Sequence, residues 1–182
     1  MGLPMDYFTS VRREFLRYKS LGENTFAQLT DSELYWKPSP TSNSAAIIAT
    51  HMAGNMISRW TRVLEEDGEK SWRNREGEFT DPPPTREALL AYWEKGWGCL
   101  FEALELLERA PEGTLLHIRG EAHTPAEAIN RQLAHYASHA GQLVFLGKIL
   151  KGESWRYLSI PPGQSEAFNR QMLRGTPPDK EA

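Results

Sequence analysis

Residues 130–150 read NRQLAHYASHAGQLVFLGKIL, and two histidines, His135 and His139, stand four apart in them. The preceding HTPAE (123–127) supplies a helix start: Thr124 as N-cap, Pro125 at the first helical position and Glu127 closing a capping box. The helix should therefore run from Pro125 to about Lys151, where Gly152 ends it. At about 100° per residue, His139 lies roughly 40° from His135, with Gln142 at about −20° and Leu146 at about 20°. One face thus has a polar middle and an apolar lower end, made by Leu143, Leu146, Ile149 and Leu150, and such a face is directed into a core. Two imidazoles separated by about 6 Å of rise can aim their nitrogens at one spot, the usual way a helix chelates a metal.

The rest of the chain reads as helix almost throughout. Phe8, Val11, Phe15 and Tyr18 mark a first helix from about Asp6 to Gln28, and TDSE (30–33) has capping-box spacing for a short turn before KPSP stops it. A second helix is expected from about Ser42 to Glu66, ended by Asp67-Gly68, and a third from about Thr85 to Ala110 with Leu89, Trp93, Gly96, Leu100, Leu104 and Leu107 on one stripe. Between them GEKSWRNREGEFTDPPPT (68–85) has no apolar period; connections of that length are often functional. TLLHIRG (114–120) suits a short extended segment. In the tail from Trp155 the aromatic first half should pack, with about 175–182 frayed. The fold class expected is all-α, a four-helix bundle in a single domain spanning 1–182.

Composition removes several function classes. The net charge is −3 with Lys and Arg scattered, which speaks against nucleic acid or an anionic membrane as partner. No apolar run is long enough to span a bilayer, the N-terminus has charges where a signal peptide needs an apolar stretch, and one cysteine excludes an internal disulfide framework. A cytoplasmic location is expected. Cys99, beside Leu100 and Phe101, reads as a core thiol rather than a nucleophile.

The second helix offers a third ligand. IIATHMAGNMISRW (47–60) puts His51 on a stripe with Ser44, Ile47, Asn55 and Ser58, polar in its middle like the His135 face. His51 could face His135 and His139, giving three neutral imidazoles and an open fourth position, as catalytic zinc sites have; nickel, iron or manganese would tolerate the same set. Solvated surface histidines account for the spacing alone equally well, since five histidines make a four-residue spacing common. His117 and His123 read as surface residues. No H-E-x-x-H, no E-x-x-H and no phosphate-binding glycine loop occurs.

Taken together, SNSAAIIATHMAGNM, GEKSWRNREGEF, INRQLAHYASHAGQLVFLGKIL and WRYLSIPPGQSEAFN resemble the DinB/YfiT-like bundles over nearly the whole chain. These are regarded as metalloenzymes, include bacillithiol and mycothiol S-transferases, and contain a bacterial subgroup named only as a domain of unknown function. The resemblance implies a bundle of unusual connectivity with a long connection between helices 2 and 3 and a packed C-terminal tail. It also implies a homodimer and a divalent metal, zinc foremost, on the residues matching His51, His135 and His139. The resemblance implies no reaction for that subgroup, whose thiol transferases are distant relatives; the activity read first for this chain is S-transfer with a low-molecular-weight thiol, acting on a small-molecule substrate. Arg73 and Arg75 could then hold the thiol's carboxylates, and Asn55 or Gln142 could support the ligands from behind. A metal-dependent hydrolase is the rival enzyme reading, and a bundle whose histidines serve stability or bind nothing is the non-enzymatic one. Second apolar stripes, Ala46, Ala49, Ala53, Met56, Trp60 and Leu64 on one helix and Leu133, Ala137, Ala140 and Val144 on the other, require cover from the tail or a second subunit.

Overall fold

The structure, a computed structural model, describes residues 6–174. It is mostly helical: α1 (Tyr7–Phe26), α2 (Asp31–Tyr35), α3 (Ala45–Trp60), α4 (Gly77–Thr80), α5 (Arg86–Glu108), α6 (Pro125–Lys151) and α7 (Ser165–Leu173), with a two-stranded hairpin of β1 (Leu116–Ile118) and β2 (Glu121–His123). The caps lie where side chains can close them. Ser44 accepts from the Ile47 N–H, Thr85 from Ala88, and Thr30 with Glu33 and Thr124 with Glu127 form capping boxes, with Pro125 opening α6. The expected fraying of about 175–182 concerns residues outside the described range.

Four long helices, α1, α3, α5 and α6, pack side by side, and their contacts give their directions. Tyr7 donates to Asn130 at one end of α1 while Gly22 approaches Leu143 further along, so α1 and α6 run the same way. Gly22 meets Trp93 and Arg12 reaches Glu105, so α5 runs opposite to α1. Along α3 and α5 contacts advance together, from Ala53 against Gly96 to Thr61 against Cys99. Two helices side by side and parallel oblige the chain to travel back between them, which is what residues 61–85 do. The core is aromatic: Trp93, Trp97, Tyr136, Phe15 and Phe26 are fully buried, with edge-on pairs such as Phe26–Trp93 at 5.2 Å and Trp97–Tyr136 at 5.9 Å.

Three expectations change. The second helix stops at Trp60, not Glu66, because Thr61 turns extended and Arg62 takes a left-handed φ of 48°. Residues beyond it are drawn elsewhere: the Asp67 carboxylate accepts the N–H groups of Glu69, Arg119 and Gly120, tying the crossover to the hairpin turn, and Ser58 bonds both Gly68 and Lys70. Within the crossover lies α4, a single turn too short to show a period, and in the tail lies α7, none of whose residues is buried. Only the start of the tail is packed. Trp155 is buried against Gly147, and Gln28 holds the backbone of Arg156 by both N–H and C=O. All sixteen residues of α3 are buried, so the Ala46–Trp60 stripe is covered within the chain; Leu64, beyond the helix end, is exposed.

At Gly96 α5 approaches the backbone of α3 tightly. A Cβ there would stand 2.8 Å from the Ala53 Cα, a backbone atom that no rotamer change can move. Gly96→Ala is expected to lose about 1–3 kcal/mol to overpacking, more than the roughly 1 kcal/mol that alanine gains in a helix. A lowered urea midpoint checks this, and a raised one would contradict the close approach.

Candidate metal centre

Helix α3 carries His51 inward because its whole circumference is enclosed; α6 carries His135 and His139 on its α3 side, one turn apart. The three imidazoles meet: His51 Nε2 lies 3.4 Å from His135 Nε2, and His139 Nε2 lies 3.1 Å from the same atom. His51 is buried and the other two are half-buried.

The hydrogen bonds behind the rings decide what they present in front. His51 Nδ1 lies 2.9 Å from Glu78 Oε2. Burial raises the Glu78 pKa, but hydrogen bonds from His51 and Arg73 and the charge of Arg73 outweigh it, so Glu78 is held below the usual carboxylate range and can only accept. His51 therefore carries its proton on Nδ1. His139 Nδ1 lies 2.9 Å from Gln142 Oε1, a carbonyl oxygen, and so also donates. Both Nε2 atoms consequently aim lone pairs at His135 Nε2, which holds at most one proton and can satisfy only one of them. A cation at the common focus satisfies all three. The spacing fits: nitrogen ligands at 2.0–2.1 Å around tetrahedral zinc stand about 3.3 Å apart, against the 3.4 and 3.1 Å found. The three histidines could hold a metal ion, and their ligand atoms lie within 4.8 Å of one another.

Of the supporting residues expected, Gln142 hydrogen-bonds His139 directly. Asn55 makes no hydrogen bond to the histidines. It accepts from the Tyr136 hydroxyl at 2.9 Å, which in turn accepts from Trp60 Nε1 at 3.2 Å, a buried chain linking α3 to α6. Arg73 reaches the site through Glu78: its Nε and Nη2 grip the two carboxylate oxygens at 2.8 and 2.9 Å, and Nη1 lies 3.5 Å from Glu69. Nε and Nη2 are thus engaged by a carboxylate of the chain itself, and the side chain is enclosed. Arg75 is exposed and lies over the Phe79 ring at 5.1 Å; that ring in turn covers His51, centroid to centroid 4.7 Å. His117 is exposed, whereas His123, expected at the surface, is largely covered, its Nε2 making no hydrogen bond though 3.5 Å from Glu121.

Glu78 and Phe79 were not legible as site residues. Their segment, NREGEFT, carries no periodicity, and Glu78 is one acidic residue among 24 Asp and Glu. One signal was available: Gly54, a glycine inside a helix three residues after a candidate ligand, marks a close approach. A Cβ there would collide with the Glu78 carboxylate.

The class of protein is thus an all-α chain with a three-histidine cluster able to hold a metal. By sequence it matches, over residues 3–164, the family described as protein of unknown function (DUF1572), and it belongs to that family. No curated protein and no solved structure matches the chain. Among the described residues no helix is long and apolar enough to cross a membrane.

Burial, and then the charges of His139 and His51, push His135 down to about 3, and burial also lowers His139. The unfolded chain takes up these protons near pH 6.5 while the folded metal-free protein refuses them, so folding stability falls as pH drops below about 6.5 and levels off only near the lowered values. Urea unfolding of metal-free protein at several pH values between neutrality and pH 4 is expected to show this loss. His135→Gln is expected to flatten it.

Proposed function

We propose that this protein is a DinB/YfiT-like four-helix-bundle metalloenzyme that holds one divalent cation, zinc first among them, on His51, His135 and His139. The cation would activate a low-molecular-weight thiol for S-transfer to a small-molecule electrophile. The observation that carries the reading is the convergence of three Nε2 atoms from two separate helices. A structural zinc is normally closed by four protein ligands, whereas three imidazoles leave one position for an exchangeable group. When bound there, a divalent cation supplies Lewis acidity that stabilises thiolate or hydroxide at neutral pH.

The side chains do the rest. Glu78 and Gln142 keep the Nδ1 protons of His51 and His139 away from the focus, leaving Nε2 free to ligate. Phe79 lies over one face of the His51 ring and limits water on that side. The thiol comes from the resemblance to bacillithiol and mycothiol S-transferases; water in its place would make the protein a hydrolase. The reading further includes a cytoplasmic homodimer. Supporting self-association, Phe145 and Ile149 stand exposed on α6, Phe145 at 65%.

Metal analysis of untagged protein tests the centre. About one equivalent per chain is expected, and less than roughly 0.2 equivalents, unchanged by His139→Ala, would reject it. On cobalt-substituted protein, a sulfur-to-metal absorption band appearing with added cysteine or a related small thiol supports S-transfer; its absence removes the thiol and leaves the hydrolase. Light scattering should give twice the 20.7 kDa chain mass.

A further inference from the structure

We propose that Glu78 is the positioning residue of this centre, and that Arg73 orients His51 by fixing Glu78, which makes the crossover between α3 and α5 a working part of the site. The inference rests on the metal reading for its consequence, though not for its geometry. Glu78 is buried, and its two oxygens serve three donors: Oε1 takes Arg73 Nε at 2.8 Å, while Oε2 takes Arg73 Nη2 and His51 Nδ1, each at 2.9 Å. The Arg73 side chain is 3% exposed, so the fork is held as rigidly as the carboxylate it grips. Gly54 leaves the space into which the carboxylate fits, and Phe79, its neighbour in α4, lies over the ring that Glu78 orients. Aromatic cover and counter-charge thus come to His51 from one turn of the crossover.

The chemistry gives this arrangement a direction. Three neutral imidazoles leave a dication uncompensated, and Glu78 is the carboxylate in hydrogen-bond contact with a ligand ring. Among the described residues no acidic side chain bonds His135 or His139. Arg73 sets Glu78 in place without a hydrogen bond to any of the three rings. If glutamine replaces Glu78, one carbonyl oxygen must serve both Arg73 and the His51 Nδ1–H. The guanidinium, charged and bidentate, takes that oxygen and turns the amide NH2 toward His51. The imidazole then moves its proton to Nε2 to accept from the amide, and the lone pair meant for the metal is lost. Removing Arg73 from the Glu78→Gln protein lets the carbonyl turn back to His51. The two substitutions are therefore coupled, with opposite effects in the two backgrounds.

The test is a cycle of four proteins, wild type, Glu78→Gln, Arg73→Met and the double variant. Zinc affinity is measured by competition with a chromophoric chelator, and the His51 tautomer by nitrogen-15 NMR of the metal-free proteins. Glu78→Gln is expected to lower zinc affinity about 10–100-fold and to move His51 toward the Nε2–H form. Arg73→Met should lower the affinity of wild type but recover part of the affinity lost by Glu78→Gln. The proposal is overturned if Glu78→Gln leaves both affinity and tautomer unchanged, or if Arg73→Met lowers affinity as much in the Glu78→Gln protein as in wild type. Should Glu78→Gln fail to fold, Gly54→Ala displaces the same carboxylate without altering its charge, and an undiminished zinc affinity there counts equally against the proposal. Because the tautomer is read without metal, a wild-type protein that binds no zinc would reject the proposed function while Glu78 as the positioning residue is still decided by the nitrogen spectrum.

Discussion

The rest of the structure depends on enclosing α3 on all sides. A helix buried around its full circumference has no solvent face on which to put a polar side chain, yet α3 carries His51, Asn55, Ser58 and Arg59. Each uncompensated polar group in such a position costs about 1–3 kcal/mol, so partners must be brought to it. Tyr136 donates to Asn55, the crossover backbone meets Ser58, and Glu78 takes His51. Arg59 is met least well. Its Nη2 approaches Glu69 at 3.5 Å while Nε and Nη1 have no acceptor, and burial lowers its pKa.

This requirement links topology to chemistry. Because α3 and α5 are parallel, a long return segment has to run beside α3, and it is this segment that delivers Glu69, Arg73, Glu78 and Phe79 to the polar side of the helix. A short loop between antiparallel helices could connect the chain but could not bring those groups there. The ion pairs in the segment are graded accordingly. Those at its exposed start, such as Arg62 with Glu65, are screened surface contacts of small worth, whereas Arg73 with Glu78 is enclosed, so losing either partner would strand a buried charge.

The three imidazole rings show how burial and polarity divide their work. Burial keeps His135 and His139 unprotonated, which a metal ligand needs, and Gln142 and Glu78 choose which nitrogen is left bare. Helix α6 contributes by being continuous over 27 residues, so that two rings one turn apart keep a fixed relation.

The long helices and their starts were legible in the sequence, because a capping box and a run of apolar residues at threes and fours act within a few residues of one another: Thr124, Pro125 and Glu127 announce α6, and Leu89, Trp93, Leu100 and Leu104 announce α5. The facing of His51 toward His135 and His139 could be set out from periodicity as one of two readings. What the sequence could not decide was the end of α3 at Trp60, the one-turn α4, and the partner of Arg73. Those depend on contacts across tens of residues: Asp67 on the hairpin turn at Arg119 and Gly120, and Glu78 in the space that Gly54 leaves. Local order is written in neighbouring residues, whereas a buried charge finds its counter-charge only once the helices have packed, and this is why the three histidines could be singled out from sequence and the carboxylate behind one of them could not.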